Sequence, residues 1–300
     1  GFRLAARVSL GLGDVMRKEI RGYQEVREAA RDWENYSSDL LGDRDVRDYR
    51  QLPLEADPPR HTKFRMALNP VFSPGALRPL APDFEALASK LIAELKDDFE
   101  VVEDLVIPYV IGCLTIIYKR PQDYEEWRAW GPDVWNAAAY RRGDDVHAAE
   151  EAHRNRDFTV ASPRDGAMLQ AYLDKVFDEA EVRVANGEPE RDIWDFVAGL
   201  VIDEVPVNRN EMQGIANVLL AGGRDTVIKL LSGFVWHLIN RPNDADFIRE
   251  DAEHMRPAIQ EMARYLTPLP RMERTTQLLV PISTLERRMK RFKRVITESP

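Results

Sequence analysis

Residues 211–240 carry apolar side chains almost all the way round a 3.6-residue period and are closed by Asn240, Arg241 and Pro242. The spacing predicts one helix of about eight turns, too apolar for a surface position and therefore buried. At its centre sit Gly222 and Gly223, each of which weakens a helix by about 1 kcal/mol relative to alanine. Arg224, Asp225 and Thr226 follow at once, and burying two charges and a hydroxyl is costly unless they are paired or used. Two readings are open. One is a polar turn facing a neighbouring helix or a water-filled gap. The other is a ligand site on a weakened helix, where Thr226 directs its hydroxyl to the Gly222 carbonyl and glycine admits a flat or diatomic ligand.

The rest of the composition narrows the class. The 300 residues are 44% hydrophobic and 31% charged, which describes a globular protein with ample core in one or two domains. A net charge of −9 argues against nucleic acid as a partner. The uncharged run from Leu105 to Tyr118 is too short to span a bilayer and contains Pro108. One cysteine excludes an internal disulfide and a multi-cysteine zinc site. With no secretory or transit pattern at the N-terminus, the cytoplasm is the expected compartment.

Helical patterns dominate, so the expected class is mainly α. Residues 23–33 form an amphipathic helix, and a loop rich in charge and proline then runs to Pro59. Phe84, Leu87, Leu91, Leu95 and Phe99 keep a three-to-four spacing that predicts another helix. Residues 105–119 form an apolar helix with Pro108 in its first turn. Trp127, Trp130 and Trp135 fall on a further helix, and 141–166 reads as a loop. Leu169, Leu173, Val176 and Phe177 restart the helical pattern, which ends at Asn186-Gly187, and 193–202 forms a short helix before the central one.

Three motifs carry the chemistry. Around the central helix the run is Gly222-Gly223-Arg224-Asp225-Thr226. Earlier, Asp57-Pro58-Pro59-Arg60-His61-Thr62-Lys63-Phe64-Arg65 places Asp57 as an N-cap and sets His61 and Arg65 on one helix face. By spacing alone that pair is an ordinary solvated cationic face. Later, Glu261 and Arg264 stand three apart on one face, ahead of Arg271-Met272-Glu273-Arg274-Thr275-Thr276, which reads as a strand.

In this order the three motifs resemble the cytochrome P-450 family, the haem-thiolate monooxygenases, over most of the chain. The resemblance implies a single helical domain over 1–300 built around the long central helix, with the small sheets largely missing. It implies haem as cofactor, with His61, Arg65 and Arg274 at the propionates and Ala221 and Gly222 against the cofactor. Glu261 and Arg264 would form a structural ion pair. Thr226 would hydrogen-bond the bound oxygen, and Asp225 would relay protons from solvent. The substrate, a small hydrophobic molecule, would lie among the loop before Asp57, the region 141–175 and the face near Ala221.

One element of the family is missing. The glycine-rich loop with the iron-ligating cysteine has no counterpart between about 277 and 281, because Pro281 to Arg288 already resembles the last long helix and the turn entering it. Gln277 stands near the ligand slot and cannot supply a thiolate. Cys113 reads as a small buried hydrophobe. The alternatives are a monooxygenase whose ligand loop is absent from this sequence, and a haem-free helper or inactive fragment of the same fold. Residues 286–294 hold six cations against one acid. They read either as a solvated face or, around Arg287, Arg288, Lys290 and Arg291, as a docking surface for a ferredoxin- or flavodoxin-type electron donor. No reductase domain is present in the sequence, so electrons would come from a separate protein.

Overall fold

The computed structural model describes residues 3–9, 15–39, 49–130, 163–269 and 271–276. They fall into two compact units, Gly1–Ser38 with Arg271–Pro300, and Asp39–Pro270. Trp135, most of the expected 141–166 loop, Gln277 and the basic run 286–294 lie outside the described residues.

In the first unit, β1 (Arg3–Ser9) pairs antiparallel with β2 (Val15–Arg21). The helix α1 (Tyr23–Arg31) follows, then the two-residue β3 (Tyr36–Ser37). The strand β6 (Arg271–Thr276) lies between β1, to which it runs parallel, and β3, giving the order β2-β1-β6-β3.

The second unit is helical. It runs through α2 (Arg60–Phe72), α3 (Pro74–Leu77), α4 (Ala81–Glu94), α5 (Ile107–Tyr118) and α6 (Tyr124–Ala129). Beyond the undescribed segment come α7 (Pro163–Ala185) and α8 (Ile193–Ala198). Four more helices complete it: α9 (Arg209–Gly222), α10 (Asp225–Asn240), α11 (Pro242–Glu250) and α12 (Met255–Leu266). Between α8 and α9 a hairpin pairs β4 (Val201–Ile202) with β5 (Val205–Pro206). Its core gathers Ile111, Trp127, Leu173, Phe177, Trp194 and Ile215, all almost fully buried.

Several expectations change. The helix predicted over 211–240 is two helices, α9 and α10, parted at Gly223 and Arg224. Only the first is a core helix; on α10, Phe234 is buried while Trp236 and Ile239 are 61% and 67% exposed. The Phe84–Phe99 helix stops at Glu94 because Leu95 takes an extended backbone. Pro59, not Asp57, caps α2, and Asp57 contributes its backbone carbonyl to the His61 N–H. Helix α7 starts at Pro163, inside the expected loop.

The wide turn Val101–Val106 continues into α5. Together, Val101–Tyr118 is the one run among the described residues long and apolar enough to cross a membrane. It is packed in the core instead, with Val106, Val110, Ile111 and Leu114 buried.

Two polar devices seat α9. Asn208 and Glu211 cap each other reciprocally, and Glu211 also receives Arg60 of α2 at 2.8 Å. Gly214 lets the backbone of Arg50 approach so closely that an added Cβ would lie 1.9 Å from the Arg50 carbonyl oxygen. Beside it, Gln51 donates to the fully buried Asn217.

Candidate functional site

The gap between α9 and α10 follows from local hydrogen bonding. In a continuous helix the Leu219 carbonyl would take the Gly223 N–H. Here it accepts the Tyr118 hydroxyl of α5 at 2.7 Å, and the Gly223 N–H turns to Ala221. Arg224 lies in the turn between the two helices, at the edge of the helical region with φ −107° and ψ −78°. Thr226 then donates its hydroxyl to the Gly222 carbonyl at 3.2 Å. This is the back-bond expected of a threonine four residues on, and it bends the helix ladder.

The two glycines do different jobs. A Cβ on Gly223 would meet Leu114 at 2.7 Å, so this glycine permits close packing on α5. A Cβ on Gly222 would meet nothing within 4 Å, so that face is open. Ala221, Asp225 and Thr226 are half-buried around it.

Arg224 is turned the other way and is 4% exposed. Its Nη2 donates to the Trp130 carbonyl at 2.5 Å, and its Nε lies 4.0 Å from Asp225 Oδ1. Burial pushes the guanidinium below its ordinary pKa, and the Asp225 charge opposes that shift.

On α2, Arg60 and Lys63 are committed to Glu211 and Asp203. His61 and Arg65, one turn apart, have no side-chain hydrogen bond or ion pair among the described residues. They form a half-buried and an exposed donor on one helix. Arg274 is half-buried on β6, in register with Ala6 of β1. On α12, Arg264 grips Glu261 through two bonds, Nε–Oε2 at 2.7 Å and Nη2–Oε1 at 2.5 Å. Those hydrogen bonds lower the Glu261 pKa and raise that of Arg264, although both side chains are exposed.

A cleft of about 630 Å³ opens between α4, α5 and α6, lined by Leu87, Leu91, Phe99, Ile116 and Tyr124. It is not the expected chamber. Helix α5 turns Gly112, Thr115 and Ile116 to the cleft and Leu114 and Tyr118 to α9, so the cleft lies on its opposite flank.

Set beside known proteins, the sequence matches erythromycin C-12 hydroxylase of Saccharopolyspora erythraea at 27% identity over 223 residues, 74% of this chain and 52% of that one. It matches linalool 8-monooxygenase of Pseudomonas putida at 27% over 223 residues, 74% of this chain and 51% of the other. The fold matches a solved carbohydrate-active P450 with a TM-score of 0.67 at 25% identity, covering 85% of this chain and 62% of that one. In sequence and in fold the chain is similar to cytochrome P450s. No family model matches it, and it spans about half the length of the curated relatives it matches.

The similar proteins imply haem, and the residues of this chain fit it unevenly. The uncommitted His61 and Arg65 suit the cofactor's carboxylates, and the open face at Gly222 suits a flat group. The axial ligand does not fit. The thiol of Cys113 is half-buried on α5, hydrogen-bonded to Tyr109, and burial pushes its pKa up, the reverse of what a thiolate ligand needs. No group of three His, Cys, Asp or Glu side chains able to hold a metal occurs among the described residues.

Sequence reasoning missed the buried pairing of Arg224 with Trp130 and of Tyr118 with Leu219. Both join residues about a hundred positions apart, and no spacing rule reaches that far.

Proposed function

We propose that this chain is part of a haem-dependent monooxygenase and carries its oxygen-side machinery. The observation that carries the reading is the interrupted helix, with Asp225 and Thr226 beside the open face at Gly222. Haem, when bound, supplies oxygen activation driven by electron donation from a thiolate; since Cys113 is unsuited, that thiolate would come from residues beyond this sequence. His61 and Arg65 would hold the cofactor's carboxylates through charge-assisted hydrogen bonds; the resemblance assigns Arg274 the same role. Thr226, whose hydroxyl bonds the Gly222 carbonyl, would serve as the hydrogen-bond donor on the oxygen side of the cofactor. Asp225, at the head of α10, passes protons from solvent to Thr226.

The substrate is a small hydrophobic organic molecule, in keeping with relatives named for erythromycin and linalool. Electrons come from a separate ferredoxin- or flavodoxin-type protein that docks near Arg287, Arg288, Lys290 and Arg291. Steep loss of the reduction rate with added salt supports this docking, and a rate indifferent to salt removes it.

A haem-free helper of the same fold is the second reading, favoured by Cys113, whose pKa burial raises, and by Gln277 near the ligand slot. Intact mass and haem titration of the purified protein decide between them. A mass above 34.5 kDa, haem uptake, and weaker uptake in His61→Ala and Arg65→Ala favour the monooxygenase. A mass of 34.5 kDa with no haem uptake favours the helper.

A further inference from the structure

We infer that Arg224 is a positioning residue for Asp225: its guanidinium, anchored on the Trp130 carbonyl, holds the Asp225 carboxylate at the head of α10. The functional weight of this inference rests on the proposed role of Asp225 in proton delivery.

Neighbouring residues on a regular helix point about 100° apart and do not face each other. Arg224 lies in the turn between α9 and α10, at the edge of the helical region with φ −107° and ψ −78°, so its side chain is not held to the regular helical spacing. One side chain then reaches two groups. Its Nη2 meets the Trp130 carbonyl at 2.5 Å while its Nε stays 4.0 Å from Asp225 Oδ1.

The anchor is well chosen. Trp130 ends α6 in an extended conformation, where helix carbonyls have lost their intrahelical donors. A guanidinium offers several donors in a fixed plane, so fixing one edge fixes the others. Asp225 begins α10, where the helix dipole also favours a carboxylate. Burying a guanidinium at 4% exposure is costly. A neutral side chain would fill the same space without that cost, so the charge itself requires a use. Holding a nearby carboxylate is a use that the geometry supports.

The test labels aspartate carboxyls with 13C and assigns Asp225 as the resonance lost in Asp225→Asn. In Arg224→Gln, which can still donate to Trp130 but carries no charge, the Asp225 resonance shifts. In Arg224→Lys it returns towards its original position. A purely structural tie to Trp130 predicts no shift, so an unmoved resonance in folded Arg224→Gln overturns the inference. Should that variant fail to fold, Asp225→Asn supplies the reciprocal reading: a shifted Arg224 Nε–H resonance supports the inference, and an unmoved one overturns it. Neither measurement needs a cofactor. A chain that takes up no haem therefore sinks the proposed function alone, and an unmoved resonance in an oxidising enzyme sinks this inference alone.

Discussion

The hydroxyl of Thr226 donates to the carbonyl of Gly222 at 3.2 Å, across the two residues at which the central helix is interrupted. A bond of this kind slightly weakens a helix and is easily exchanged for another acceptor. Thr226→Ala should therefore change stability by no more than about 0.5 kcal/mol in denaturant melts. Under the proposed function, the same change in the haem-loaded protein should raise peroxide released per electron consumed, while Thr226→Ser keeps the wild-type ratio. An unchanged ratio in Thr226→Ala would remove Thr226 from proton delivery.

The adjacent glycines should respond to alanine with opposite signs. At Gly222 the new methyl meets nothing within 4 Å, so the helix propensity of alanine gives a gain of about 0.5–1 kcal/mol. At Gly223 it meets Leu114 at 2.7 Å and the Leu219 carbonyl at 3.3 Å, and overpacking costs about 1–3 kcal/mol. Paired urea melts check this, and equal effects would show that the open face is closed in solution.

Much of this was legible from local pattern. The back-bond of Thr226 and the shared face of His61 and Arg65 both lie within four residues, where helix periodicity decides. The break at Gly223 was not legible, because glycine and arginine can continue a helix; what stops them is Tyr118 taking the Leu219 carbonyl. The hairpin of β4 and β5 was hidden for another reason. Its turn puts Asp203 and Glu204 at φ 53° and 65°, a conformation usually announced by Asn-Gly or Asp-Gly. Val201 and Ile202 therefore read as the end of the preceding helix.

A second buried guanidinium makes a stability prediction. Arg120 binds Asp123 at 2.6 Å and Asp192 at 2.8 Å, with all three side chains under a tenth exposed. Tyr172 donates to Asp123 at 2.6 Å and receives the Trp194 indole at 2.9 Å. Arg120→Ala leaves the buried Asp123 without its cation and Asp192 with Arg191 alone, and should cost about 3–5 kcal/mol. Tyr172→Phe removes one donor and strands the indole N–H, for about 1–3 kcal/mol. Denaturant midpoints of the two variants should fall in that order, and a reversed order would mean that water replaces the guanidinium.

The last prediction concerns alkaline pH. Burial, with Cys113 adding to it, pushes Tyr109 up to about 12, and burial also raises Cys113 while its bond from Tyr109 opposes. Both groups hold their protons more tightly folded than unfolded, where tyrosine titrates near 10 and cysteine near 8.5. Their contribution to stability is therefore complete below the unfolded values and is lost as pH rises through the folded ones. Between about pH 8 and about pH 11 the urea midpoint should fall. Tyr109→Phe should shrink that fall without abolishing it, because burial also holds Tyr118 and Tyr172 well above their usual range. Cys113→Ser should remove the earliest part of the fall. A wild-type slope in Tyr109→Phe would mean that Tyr109 ionises freely in the folded chain.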